Sequence, residues 1–177
     1  MKLPELMSEI ELHRGWLRIV RCRLRHATGG VQEYEIVNPD TRSVCVVALD
    51  EAGDVVLVEL YRFGQGRRLI ELPAGAVEPG ESLHGAIGRE LLEETGYAGE
   101  LEAVGSHYIA AEHGVVRHVF VARNCRQVAV PAPEPSEVDE GATVRVLPVE
   151  RFRALVRRGE LTETAEAFMA LDRLGLL

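Results

Sequence analysis

No stretch of this chain approaches the ~18 consecutive apolar residues of a membrane-spanning helix. Its first residues, MKLPELMSEIELHRGW, carry acids where a secretory leader has an apolar core. Neither a membrane span nor a signal peptide is expected, and the expected location is the cytoplasm. Lysine is almost absent. Lys2 is the one lysine, and every other cationic residue is arginine. The formal net charge of −8 leaves no overall positive field to draw nucleic acid or an anionic membrane. A polyanionic ligand would therefore need local help, from divalent metal or from clustered arginines. Cysteine is also scarce, and Cys22, Cys45 and Cys125 are odd in number, widely spaced and without a CxxC pair. That excludes a disulfide framework and a zinc site, and predicts reduced, mostly buried thiols.

What is present is the material of one ordinary domain: 177 residues, 46% hydrophobic, with no repeat and no low-complexity tract. From Gly15 to Val37 apolar and polar residues alternate on either side of Thr28-Gly29-Gly30, which predicts a β-hairpin ending at Asn38-Pro39-Asp40. SVCVVALD and DVVLVELY, joined at Glu51-Ala52-Gly53, read as two strands buried on both faces. The stretch RFGQGRRLIELPAGAVEPGE has no regular period and leads into a helix from Ser82 to Thr95 that Gly96 stops. Further strands are expected over 101–107, 115–122 and 144–148, with 131–141 a loop rich in proline and acids. Helical spacing at Phe152, Leu155 and Val156, then at Ala167, Phe168 and Leu171, predicts two closing helices. Strands interleaved with one central and two terminal helices give an α/β/α sandwich around a mixed sheet, preceded by an N-terminal antiparallel hairpin.

The chemistry concentrates in GAVEPGESLHGAIGRELLEETGY, residues 75–97, where the acids gather at the end of one helix. At 100° per residue Glu90 and Glu94 share a face, and Glu93 lies roughly 80° from it. Leu83 and Ile87 fall on nearly the same side. A solvated charged face would oppose the apolar stripe, whereas here the carboxylates continue it and point toward the protein body. Converging carboxylates raise one another's pKa and are costly to bury unpaired. Divalent metal removes that cost. Oxygen-only ligands suit Mg²⁺ or Mn²⁺, which take one or two carboxylates, waters and substrate phosphates, so the implied ligand is a polyphosphate. Ahead of the helix, Pro73, Gly75, Pro79 and Gly80 form a rigid turn where backbone can approach a ligand closely. Arg89, two turns from Ser82, is placed to pair with Glu81 and hold that turn on the helix.

This segment resembles the Nudix box at every defining position: Gly75, Glu81, Arg89, Glu90, Leu91, Glu93, Glu94, Gly96 and Tyr97. The resemblance implies Glu90 and Glu94 as main metal ligands, Glu93 as assistant, and Arg89 with Glu81 as the brace of the loop. YRFGQGRRLIELPAG is similar to the stretch before the box in ADP-ribose and nucleotide-sugar pyrophosphatases, which are usually dimers. By that likeness Arg62 and Glu71 contact substrate, the Ala74 carbonyl reaches metal, and residues 1–38 pair with a second subunit while 39–177 form the catalytic domain. GELTETAEAF near the C-terminus extends the likeness over most of the chain.

In the resembling enzymes a glutamate on a late loop activates the attacking water. Within PSEVDEGATVRVLP the choice here is Glu140, with Glu137 and Asp139 as alternatives. One departure is that Ala111-Glu112-His113-Gly114 stands where those enzymes commonly carry Ser-Pro-Gly, which puts His113 beside the substrate. The carried-over residues are thus Glu140, Glu93 and Arg89 for catalysis, Ala74, Glu90, Glu93 and Glu94 for metal, and Arg62, Glu71, Glu81 and His113 for substrate. His107 and His118 read as structural. The implied reaction is metal-dependent hydrolysis of the diphosphate in a nucleoside diphosphate linked to another group. ADP-ribose or a nucleotide sugar would give a nucleoside monophosphate and a sugar phosphate. The rival readings are a Nudix enzyme acting on dinucleoside polyphosphates, nucleoside triphosphates or coenzyme A, and a non-catalytic sensor of the same fold. A sensor would be expected to lose box acids, and all of them stand here.

Overall fold

The computed structural model describes residues 2–177. Its contacts divide it into two units, one formed by the residues up to Arg42 with His107–Arg117, the other by Ser43–Ser106 and His118–Leu177.

The first unit is a three-stranded antiparallel sheet in the order β1 (Glu5–Arg14), β2 (Arg18–Arg25), β3 (Val31–Val37). The expected hairpin is β2 and β3, closed by a turn in which His26 N–H donates to the Gly30 carbonyl. β1 was not expected, and it corrects the two-stranded picture. Its pairing with β2 is fixed by charge as well as backbone: Arg18 donates to Glu9 at 3.2 Å and to Glu11 at 3.0 Å. On the other side of β2, Arg21 reaches Glu35 at 2.7 Å. Asn38 and Asp40 take positive φ at the exit, and Asn38 Oδ1 accepts from the Arg18 N–H, so Asn38-Pro39-Asp40 ends the sheet as its composition suggests.

The second unit holds a mixed sheet sandwiched between helices. Its strands are β4 (Arg42–Asp50), β5 (Val55–Arg62), β6 (Arg67–Glu71), β7 (Ala74–Ala76), β8 (Tyr97–Tyr108), β9 (Val116–Gln127) and β10 (Thr143–Leu147). The order is β10-β5-β4-β9-β8, with β6 on β5 and β7 on β4. Strand alternation builds two cores. Val44, Val46, Ala48, Val56, Phe120 and Ala122 pack on α1 (Leu83–Thr95) through Ala86, Ile87 and Leu91. Cys45, Val47, Leu57, Val119 and Val121 pack the other way, on Phe152 and Val156 of α3 (Val149–Arg158) and on Ala167, Ala170 and Leu171 of α4 (Thr164–Leu174). Burial on both faces explains the near-continuous apolarity of β4 and β5. All three cysteines are buried thiols, as expected.

Ser82 caps α1 by accepting the Gly85 N–H, and Gly96 ends it at φ 75°, where a Cβ would overlap the Ala129 carbonyl. The structure departs from expectation at short elements. β6 and β7 occupy the stretch without period. The segment 131–141, expected as loop throughout, contains the one-turn helix α2 (Pro135–Asp139), started by Pro135 and by a reciprocal cap between Glu134 and Glu137. No described helix is long and apolar enough to cross a membrane.

Candidate active site

β7 carries the loop to the helix. Its pairing with β4, Ala74 to Cys45 and Gly75 to Val44, lays Ala74 and Gly75 along the C-terminal half of α1. Glu90 approaches so closely that a Cβ at Gly75 would overlap its carboxylate, which is why that position has no side chain. Gly75→Ala should therefore displace Glu90 and lower activity while costing little stability, because the overlapped group is the end of a flexible side chain. Kinetics and a melting curve on that variant check both halves. Glu94, one turn on, is 8% exposed, and one of its oxygens accepts the Ala74 N–H at 3.3 Å. Glu93 is far more open, as the helical phase predicts.

Arg89 ties the acids to the loop. It donates from Nε and Nη2 to Glu81 at 3.1 and 3.2 Å, from Nη2 to the Ala76 carbonyl, and from Nη1 to Glu90 at 2.9 Å and Glu93 at 3.1 Å. Glu81 also accepts the Glu78 N–H, which closes the turn between them. The paired guanidinium holds the Glu81 carboxyl below its ordinary range, with the Glu78 N–H helping.

Glu94 has no such cation. Burial pushes its carboxyl well above the usual range, and the carboxylates of Glu137 and Glu90 push it further, against one peptide N–H. Burial raises Glu90 as well, offset by Arg89. Glu137 comes from α2 and faces Glu94, so two carboxyls meet there with no cation between them. Among the described residues no group of three or more His, Cys, Asp or Glu is placed to hold a metal ion by side chains alone. An oxygen donor set that is half-open and short of cations fits a hard divalent ion that keeps waters and substrate oxygens in its shell.

A second cluster lies on β5 and β6. Arg62 grips Glu71 with two parallel bonds, Nε to Oε1 at 2.9 Å and Nη2 to Oε2 at 2.6 Å, and its Nη1 donates to Glu140 at 2.9 Å. Glu71 is buried, and its pairing first among the causes holds Arg62 more firmly charged than usual. Buried Glu163, at the N-cap of α4, accepts the Leu72 N–H at 3.2 Å and adds negative charge near Arg62.

The structure thus gathers Glu81, Arg89, Glu90, Glu93, Glu94 and Ala74, and separately Arg62, Glu71 and Glu140. Glu140 sits on Arg62, while the alternative Glu137 is the acid placed against Glu94; Asp139 is exposed. His113 belongs to the other unit, where it bridges Val37 and its N–H donates to Ala110. Glu163 was not singled out in the sequence. Its carboxylate reaches the Leu72 N–H, far away in sequence, and nothing local shows that it neighbours Arg62.

A sandwich of this topology that turns box acids inward against a glycine-tight loop defines a class of pyrophosphate-bond hydrolases. Residues 39–170 match the NUDIX domain, and the chain belongs to the Nudix hydrolase family. It is 33% identical over 165 residues to an ADP-ribose pyrophosphatase of Mycobacterium tuberculosis, covering 90% of this chain and 78% of that one. An ADP-ribose pyrophosphatase of Bacillus subtilis is 32% identical over 144 residues, covering 80% of this chain and 73% of that one. A crystal structure of an ADP compounds hydrolase superposes with a TM-score of 0.82 over 100% of this chain and 98% of that one, at 19% identity, and so shares the fold. Nudix hydrolases generally use divalent metal ions.

Proposed function

We propose that this hydrolase cleaves the diphosphate of ADP-ribose or a related nucleotide sugar, in the cytoplasm, to a nucleoside monophosphate and a sugar phosphate. The observation that carries the proposal is Glu94, buried beside Glu90 and Glu137 with one peptide N–H for company. Similarity to two ADP-ribose pyrophosphatases supports the substrate class. Glu90, Glu94, Glu93 and the Ala74 carbonyl would hold Mg²⁺ or Mn²⁺. Such an ion supplies positive charge against the diphosphate and acidifies water. The chain's own groups do the rest. Arg89 and Glu81 keep the loop on α1, so that Ala74 and Glu90 stay in register. Arg62, fixed by Glu71, offers its remaining N–H donors to a phosphate oxygen. Glu137 takes a proton from the attacking water as its oxygen bonds one phosphorus, and the bridging oxygen leaves with the other phosphate.

Product analysis over ADP-ribose, nucleotide sugars, dinucleoside polyphosphates and nucleoside triphosphates with Mg²⁺ or Mn²⁺ tests this directly. ADP-ribose should give AMP and ribose 5-phosphate, with triphosphates at least ~10-fold poorer in kcat/KM, or about 1.4 kcal/mol in transition-state binding. Triphosphates or dinucleoside polyphosphates emerging as best substrates would overturn the substrate assignment.

We also propose that residues 1–38 join two copies of the chain. β1 is exposed along its whole length, and Leu6, Ile10 and Leu12 on it, with Trp16 beyond it, present apolar surface that a monomer leaves in water. A second copy seated on β1 would take those side chains out of water. Sedimentation at micromolar concentration should show a dimer, and a chain starting at Asn38 a monomer; a monomeric full chain would contradict the proposal.

A further inference from the structure

Glu137 and Glu140 stand three residues apart, yet their side chains end in two places, Glu137 on Glu94 and Glu140 on Arg62. α2 has five residues, too few for helical hydrogen bonds to hold its position. Its placement must come from contacts outside it: ahead of it the Ala132 N–H donates to the Glu93 carbonyl at 2.7 Å, and the others collect at its C-terminal end. The Glu140 carbonyl accepts the Tyr61 N–H at 2.9 Å, the Gly141 carbonyl accepts Arg68 Nη2 at 2.9 Å, and the Glu140 carboxylate accepts Arg62 Nη1 at 2.9 Å. Only the last is a charged pair made by a side chain of the α2 segment, and the Glu140 side chain is 17% exposed, so solvent screens it weakly. Arg62 is itself immobile, because its other edge is bidentate on buried Glu71. Three of its five N–H donors are spent on these two acids, which leaves two for a phosphate oxygen without releasing Glu140.

We propose that Glu140 is a positioning residue: docked on the Arg62 guanidinium, it latches α2 where the Glu137 carboxyl reaches Glu94. This rests on the reading of Glu137 as the acid that receives the proton of water. Through the latch, the arginine that faces substrate also sets the base, so one side chain of β5 couples the two.

Glu140→Ala and Glu140→Gln, compared by steady-state kinetics and by hydrogen exchange of residues 136–142 in the metal-free protein, test it. Glu140→Ala should speed exchange in that segment and lower kcat by about 10²-fold, the scale of a ~1 Å misplacement, with KM little changed. Glu140→Gln keeps an oxygen for Arg62 Nη1–H and should restore slow exchange and most of kcat. If both variants are equally slow while exchange stays native, Glu140 acts on the reacting atoms and the latch is refuted. Native rate and native exchange in Glu140→Ala would refute it too. Full kcat in Glu137→Gln would remove the reading of Glu137 as base, while fast exchange in Glu140→Ala would still support the latch.

Discussion

Glu94→Gln should lower turnover by at least ~10²-fold and, in metal-free protein, raise stability, and Glu90→Gln should match it in turnover. Both variants keep side-chain volume and remove charge where the proposed cation binds. The stability gain follows from the raised pKa. A carboxyl whose folded pKa lies above its unfolded one binds a proton more tightly when folded. Its contribution to stability is fully present below the ordinary carboxylate range and is lost as pH rises through the raised value. Burial, then Glu137, then Glu90 raise Glu94 in this way. Metal-free wild type should therefore melt lower as pH climbs from mildly acidic to alkaline, and Glu94→Gln should flatten that slope. The amide still accepts the Ala74 N–H through its oxygen, so no hydrogen bond is forfeited. Added Mg²⁺ should lift the melting temperature of wild type at alkaline pH and leave the variant nearly unmoved. Melts in chelator across pH, with kinetics at saturating Mg²⁺, measure all three effects. Wild-type turnover in Glu94→Gln, or a variant that melts below wild type at alkaline pH, would sink the assignment.

The part of this site that could be read from sequence is the part encoded in helical phase. Glu90 and Glu94 continue the stripe of Leu83 and Ile87, and that phase alone gave the burial of Glu94 and the openness of Glu93. Ser82 and Gly96 bound α1 because capping is a local property. β4 and β5 were legible for a similar reason, since burial on both faces writes a continuous apolar run. β6 and β7 were not, because each is short and its strand character lies in hydrogen bonds to residues distant in sequence. β1 carries alternation in EIELHR, but its partners lie in β2, whose arginines pair with its acids, and nothing local announces them. α2 lies below the length at which a period can show, and it begins at the last of three closely spaced prolines, Pro131, Pro133 and Pro135. The unresolved choice among Glu137, Asp139 and Glu140 came from that same brevity, because in a loop three acids within four residues are interchangeable, and in a helical turn they are not.

Glu137→Gln tests that distinction and carries the second large effect. The Glu137 carboxyl is the one acid of α2 placed on Glu94, whereas Asp139 is exposed and Glu140 is engaged by Arg62. A positioned general base contributes typically ~10²–10⁴-fold, so Glu137→Gln should cut kcat by that order, while Asp139→Asn stays near wild type. Metal affinity should change little, since Glu90, Glu94 and the Ala74 carbonyl remain, and a titration of the variant with Mn²⁺ can show this apart from turnover. The amide can still accept the Glu134 N–H through its oxygen, which preserves the reciprocal cap of α2 and keeps the segment folded. A loss of rate with intact metal binding and an intact melting temperature would therefore belong to the proton transfer itself. If instead Glu137→Gln turns over normally, or Asp139→Asn is the slower variant, the acid facing Glu94 is not the base.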